Sequence, residues 1–573
     1  MVEATKERRP TERLTTASER RFVLLGTIVA MVITSIPYVV GTILSDEERV
    51  FSGFVYAISD CTSYIAKMRQ GAEGAWLFHI PYTPETHPGA VFFLFHRLLG
   101  KVAALLPGGN LTQKLIWVYH AARVAFGAGL LVTIYRFLAL LTRRVEVRRL
   151  AWVLVTYGGG LGWLLVTLGK SNWLGSTPLD FILPEGFTFL VLFAFPHIAL
   201  ARTLLLTGLM ALMEAWLPTT TDQPDSREAG RPGLARVAGS IQAPQWRAAG
   251  LAGLAGLAWL LMGVVVPFYV AVAWAVMGSV WAVLCVRRRR VAWTEAALGF
   301  IAGLLSAPMV IYSVWRFSSH PVYAAWAAQN QVLSPHPAHY LAAYGLPLAL
   351  GMAAVPEAWR AAWPAWLPVV WIAVVPFLAY VPFNLQRRLT EAIQVPLYLL
   401  AAEGLRRITY VEGDLPRLRW RLAALAVLLV LVPTNVMLLT RTTEALGDRP
   451  SPIYRDRAEA TVLDQLAQRV NDNDVILASY ESGNTIPSRV GARVFVGHGA
   501  ESYRAAEKRD EVARFFDGST DDGWRRDLLK RYGVDYVFWG PEERTLGSFD
   551  PRAAPYLRQR HKQGAYAVFQ VEL

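Results

Sequence analysis

The chain has little of what soluble proteins depend on. Cysteine is nearly missing: only Cys61 and Cys285 occur in 573 residues. They are assigned to opposite membrane faces, which excludes a disulfide framework. Charged residues make up 18% of the chain against 54% hydrophobic, a balance that excludes an ordinary soluble fold. The strand-like segments carry no Walker or dinucleotide-binding signature, and no internal repeat is present. The first apolar run lacks a small-residue cleavage site, so it is expected to stay as a signal anchor. Acidic residues are outnumbered 44 to 57, leaving a net charge of +13. That excess does not point to nucleic acid, because the basic residues sit in short blocks between apolar segments, as topology determinants do.

What is present is a succession of apolar stretches near the ~20 residues that cross a bilayer. They predict a polytopic α-helical membrane protein with about eleven spans, from Phe22–Leu44 to Leu422–Thr440. The set includes Leu150–Leu168, Phe187–Leu217 and Leu389–Leu405, the last short and polar enough to line a cavity. Residues 1–21 form a cytoplasmic tail, 22–440 the membrane domain and 45–114 a long first external loop. Within that loop, "AVFFLFHRLLGKVAALL" reads as an interfacial helix, apolar on one face and cationic on the other. Arginine clusters such as Arg143–Arg144, Arg287–Arg290 and Arg406–Arg407 fall on the cytoplasmic side. The segment between Thr219 and Gln245, rich in Gly and Pro, is a cytoplasmic loop.

After Thr440 the composition becomes that of a soluble domain. Residues 441–573 are expected to form a small extracytoplasmic α/β domain. Its strands are "DVILASY", "ARVFVGH", "VDYVFWG" and "YAVFQVEL", and its amphipathic helices are "RAEATVLDQLAQRVN" and "DDGWRRDLLKRYG". The "SGN" and "GHG" stretches around Asn484 and His498 fit turn chemistry as well as loops covering a cavity. No catalytic role is assigned to them.

Polar residues on the external side are the candidates for chemistry. Asp60 lies shortly beyond the first span, with Tyr64 one helical turn away, then Gly74, Trp76 and the interfacial helix. Arg387 and Arg388 sit together at the external end of an apolar run, where an unpaired cation is costly unless it meets an anion. Asp180 and Glu185 precede the Phe187 span, and His197 lies inside it. Trp326, Gln329 and Asn330 supply an aromatic face and amides of the kind that hold sugars. His79, Glu85 and His87 are a weak metal pattern, and Glu85 is instead a substrate contact.

In this order of elements the chain resembles the GT-C superfamily of integral-membrane glycosyltransferases. Closest in layout are the protein O-mannosyltransferases and the aminoarabinose-lipid A transferases. Motif-level likeness covers about Asp46 to Arg144; where relatives have a second acid beside the first, this chain has Cys61. The resemblance implies transfer of a sugar from a polyprenyl-phosphate donor to an extracytoplasmic acceptor, whether glycan, lipid or protein. It makes Asp60 the general base and Arg387 and Arg388 the ligands of the departing lipid phosphate. A divalent cation is compatible with it, since the superfamily holds metal-using and metal-independent members. Two other classes are weighed: a lipid or glycan transporter or flippase, and a non-catalytic envelope-assembly protein. The first is disfavoured because no matched pair of broken helices is visible in the two halves. The second would tolerate loss of Asp60.

Overall fold

The computed structural model describes residues 15–217, 245–409 and 416–573. The expected Gly/Pro-rich loop falls largely outside the described residues. Helix α1 (Ala17–Ile43) leads through a long loop containing α2 (Ile58–Ala72) and α3 (Leu94–Ala104) into α4 (Leu111–Leu141). Thr16 opens α1 with a capping box: its hydroxyl accepts from Glu19 N at 3.2 Å, and its own N–H donates to the Glu19 carboxylate at 2.8 Å. The same carboxylate accepts from Tyr135 and Arg148 at 2.7 and 2.8 Å, so the cap also ties α1 to its neighbours.

This is a polytopic helical membrane protein. Six of the described helices are long and apolar enough to span a bilayer: α1, α4, Pro196–Ala215, Trp246–Val265, Tyr269–Arg288 and Trp293–Ser319. A seventh span forms if Leu418–Leu431 and Pro433–Ala445, bent by 42°, are one crossing. The other expected crossings are shorter or interrupted. Leu150–Leu168 becomes Val145–Tyr157 and Gly162–Thr167, and Phe187–Leu217 breaks at Phe195 before Pro196. A proline has no N–H to donate and biases the preceding residue away from the helix.

These interruptions are buried in protein, where freed backbone groups find partners. The Gln394 amide accepts from Thr188 N at 2.8 Å and donates to Gly158 O at 2.8 Å. Asp180 accepts from the N–H groups of Gly160 and Gly162 at 2.9 and 3.0 Å and from the Thr434 hydroxyl at 2.7 Å. Gly162 is required there, because a Cβ would lie 2.0 Å from an Asp180 oxygen.

Basic blocks gather at one end of the bundle. Arg144 pairs with Glu403 at 2.8 Å and Glu357 at 3.3 Å, and Arg406 and Arg407 also approach Glu357. Deeper inside, Arg202 and Glu391 form an ion pair at 2.5 Å with both side chains 0% exposed. Helix α3 differs from its expected role as a helix with an outward cationic face. His96 and Arg97 are buried, because α3 lies against α2 so closely that Gly71 and Gly100 have backbone where a Cβ would go.

The C-terminal domain holds a five-stranded sheet. Strand β1 (Arg49–Phe51), in the first loop, pairs antiparallel with β2 (Tyr454–Asp456) at the domain entrance. The sheet itself comprises β3 (Val475–Leu477), β4 (Arg493–Val494), β5 (Tyr536–Trp539), β6 (Leu557–Gln563) and β7 (Tyr566–Val571), in the order β4-β3-β5-β7-β6. β4, β3 and β5 run parallel, and β7 and β6 are antiparallel additions. Four of these strands coincide with the sequence expectation. β6 escaped it because its burial is largely confined to Leu557, leaving "LRQRHKQ" without an apolar rhythm.

Breaking the Arg202–Glu391 pair from one side strands a buried charge, at a cost of about 3–5 kcal/mol. Glu391→Ala is expected to lower the unfolding midpoint of detergent-purified protein sharply. Replacing both partners with Met should recover most of the loss by differential scanning fluorimetry.

Candidate functional site

Asp60 opens the first turn of α2, whose N-cap, Ala57, takes a left-handed conformation that turns the chain sharply into the helix. The Asp60 side chain keeps 49% of its surface exposed, and Oδ1 lies 3.2 Å from His498 Nε2. Surrounding protein pushes the Asp60 carboxyl up. The hydrogen bond and charge of His498, then the charges of Arg388 and Lys67, outweigh that and hold it below the usual carboxylate range.

Arg388 lies in a 3-10 turn over Gln386–Thr390, more than three hundred residues further along the chain. Its Nε lies 3.7 Å from Glu185, the guanidinium is 34% exposed, and it sits 6.0 Å above the Phe268 ring. Burial works against its charge, but Glu185 first, then Tyr64 and Asp60, raise its pKa. Asp60, Tyr64, Glu185 and Arg388 are thus electrostatic neighbours. Arg387 shares Glu185 with Arg388 and also faces Tyr340 and Tyr56, and its Nε is buried without a hydrogen-bond partner. Glu391, which by sequence could orient the arginine pair, serves Arg202 instead.

Aromatic and imidazole rings wall this region. Tyr64 stacks on His96 at 4.5 Å and meets His197 edge-on at 4.8 Å, while His96 and His197 are 5.0 Å apart. Neither ring nitrogen of His96 has a hydrogen-bond partner, nor does His197 Nδ1. Burial drives His96 well below the ordinary histidine range, so it is a neutral wall.

Other expected site residues turn out to hold the protein together. Glu85 pairs with Lys508 of the C-terminal domain at 2.5 Å. His87 Nε2 accepts from Ile80 N at 2.8 Å, so the His79, Glu85 and His87 pattern does not converge. Asp180 is consumed by the loop bonds described above. Trp326 is 7% exposed, with its ring among Phe92, Phe93 and Phe317; it packs instead of presenting a platform. Gln329 donates to Ser502 O at 2.8 Å and so clamps the loop that bears His498, and Asn330 ends the same helix.

Sequence reasoning assigned no role to Lys67, His498 and Glu501. Lys67 Nζ lies 2.6 Å from Glu501 with the side chains 1% and 4% exposed, and 4.1 Å from the Phe93 ring centre. The usable signal was a strand ending in a Gly-His-Gly turn, since parallel strands present ligand-facing loops at their carboxyl ends. Among the described residues no group of three or more His, Cys, Asp and Glu is arranged to hold a metal ion. Asp60 has buried Cys61 beside it and the cations Arg388 and Lys67 nearby, a donor set that does not suit a divalent cation.

The architecture has counterparts among solved structures. The apo crystal structure of the Archaeoglobus fulgidus oligosaccharyltransferase matches with a TM-score of 0.53 at 11% identity, covering 95% of this chain and 74% of that one. ArnT from Cupriavidus metallidurans bound to undecaprenyl phosphate gives 0.47 at 12% identity, over 97% and 98% of the two chains. The arabinofuranosyltransferase AftD from Mycobacteria gives 0.49 at 16% identity, over 97% and 42%. No family model and no curated protein matches the chain. The oligosaccharyltransferase likeness establishes a GT-C-type fold for this chain.

Glu85→Ala leaves the buried Lys508 ammonium without its carboxylate. The expected result is a loss of about 2 kcal/mol and faster protease cleavage between the two domains. Limited proteolysis of the purified protein would register it.

Proposed function

We propose that this protein is a membrane glycosyltransferase moving a sugar from a polyprenyl-phosphate carrier to an acceptor on the extracytoplasmic side. The observation that carries the reading is the pairing of a low-pKa, solvent-open carboxylate with a half-open guanidinium across one polar region. Asp60 and Arg388 come from opposite ends of the membrane domain, yet each lies within the other's field. A GT-C-type fold supports it.

The chemistry needs two things from the chain. An acceptor hydroxyl attacking the anomeric carbon must lose its proton, and an ionised Asp60 accepts it. The bond to the carrier oxygen breaks with its electron pair, leaving a phosphate that gains negative charge. Arg388, whose guanidinium makes no hydrogen bond shorter than its 3.7 Å approach to Glu185 among the described residues, has donors free to meet it. Arg387 backs this charge from further away. The rings of Tyr64 and His96 form an apolar wall beside the two charged groups.

A transporter has no use for a carboxylate held ionised by a soluble domain, and an assembly scaffold has no use for its exposure. The test is sugar transfer or release in proteoliposomes supplied with radiolabelled undecaprenyl-phosphate-linked pentoses and hexoses. Asp60→Asn should lower turnover by about 10²–10⁴-fold at normal abundance. Retained turnover removes Asp60 from the base role. Arg388→Ala is expected to cut kcat/KM for the donor by about 10- to 100-fold, and Arg387→Ala by less. Equal, small effects of the two arginine changes would reject phosphate binding by Arg388.

A further inference from the structure

His498 reaches Asp60 from the C-terminal domain, and its loop is held on every side. Gly497 N donates to Ser502 Oγ at 3.0 Å, Ser502 Oγ donates to Tyr82 O at 2.8 Å, and Gly499 N donates to Tyr480 OH at 3.1 Å. Gln329 secures Ser502 from the membrane domain. A side chain at 497 is excluded, since a Cβ would lie 2.6 Å from Tyr82 Cδ1. Fixing the backbone this closely leaves the imidazole one working position.

Behind the imidazole the contacts return to their origin. His498 Nδ1 is 3.8 Å from Glu501 Oε1, and that oxygen accepts from Lys67 Nζ at 2.6 Å. Lys67 also donates to Ser63 at 2.8 Å. Asp60 and Lys67 share one face of α2 about two turns apart. The series Asp60, His498, Glu501 and Lys67 therefore leaves α2, crosses to the C-terminal domain and comes back to α2.

We infer that His498 is a positioning residue for Asp60, so that the docked C-terminal domain is part of the reacting site. The inference rests on the reading of Asp60 as base. A half-exposed aspartate at the start of a helix rotates freely about its last bond. Holding Oδ1 from one side restricts the carboxylate, and a proton acceptor has to be aligned to within about half an ångström. On the far side of the ring the Glu501 carboxylate lies 3.8 Å from Nδ1, which makes no hydrogen bond among the described residues. The other charged or titratable groups facing Asp60 are Arg388 from the 3-10 turn, His197 from its helix, Lys67, Tyr64 and Cys61 from α2, and Tyr56 and Tyr82 from the first loop. Only His498 makes a hydrogen bond to the Asp60 side chain among the described residues.

The test uses full-length protein and needs no substrate for its first arm. The carboxylic C=O stretch of Asp60, isolated as the infrared difference between wild type and Asp60→Asn, is titrated with pH. Removing the donor with His498→Leu should raise the protonation midpoint by about one unit, because a hydrogen bond to the ionised form is lost. His498→Gln keeps a neutral N–H donor and should restore part of the shift. In the proteoliposome assay with undecaprenyl-phosphate-linked pentoses and hexoses, His498→Leu should lower kcat by about 10- to 100-fold with donor KM within about twofold. The acid limb of its pH profile should move to higher pH. If His498→Leu folds poorly, His498→Ala, which also lacks the donor, carries the same comparison. An unmoved midpoint and acid limb, with only a lower unfolding temperature, would mean that His498 merely docks the domain, and overturns the inference. An active Asp60→Asn enzyme sinks both this and the function proposed above; an inactive one with an unmoved midpoint sinks this alone.

Discussion

A charge withdrawn from water must meet its opposite, and the buried Lys67–Glu501 pair is where that rule joins the two halves of this protein. Lys67 is on the loop helix, and Glu501 follows the Gly-His-Gly turn of the C-terminal domain. Lys67 lies under aromatic rings and Glu501 in a closed loop, so removing either side chain would strand the other's charge, at a cost of several kcal/mol. The pairing of Lys508 with Glu85 and of Arg69 with Ser488 O repeats the connection along the same seam. The seam is polar and specific, and it fixes where His498 and Asp60 stand.

Much of the membrane architecture was legible because lipid imposes a simple code. Apolar length marked α1, α4 and the long helices between Pro196 and Ser319, and the basic blocks that set topology do gather through Glu357 and Glu403 at one end. The code weakens where a segment is surrounded by protein. Gln394–Thr409 carries Gln394 and Glu403 because its neighbours are helices with polar needs of their own. Such a segment has no lipid-facing stripe to read, and prolines at 196 and 433 divide stretches whose composition alone runs on.

The candidate site divides along a similar line. Asp60 and Tyr64 were readable from their place just beyond the first span, and Arg388 from its isolation on the sparsely charged side. Partner choice was not readable. Glu391 stands three positions from Arg388, yet it pairs with Arg202 and leaves Glu185, some two hundred positions away, to face Arg388. Trp326 shows the opposite error: a composition suited to sugar binding was spent on a packed cluster of rings. His498 lay beyond reach because its meaning depends on a contact spanning 438 positions.

The placement of His498 also gives the C-terminal sheet a physical purpose. β3, β4 and β5 run parallel, so their carboxyl ends open on one edge, and the loop after β4 leaves that edge toward α2. The domain needs no cavity of its own to contribute to the site: one strand end, held by Gly497 against Tyr82, delivers an imidazole to a carboxylate supplied by the membrane domain. Arg388, from the 3-10 turn, acts on the same carboxylate. With His498 and Arg388 both beside it, the Asp60 carboxyl is held below the usual carboxylate range while its side chain stays open to water.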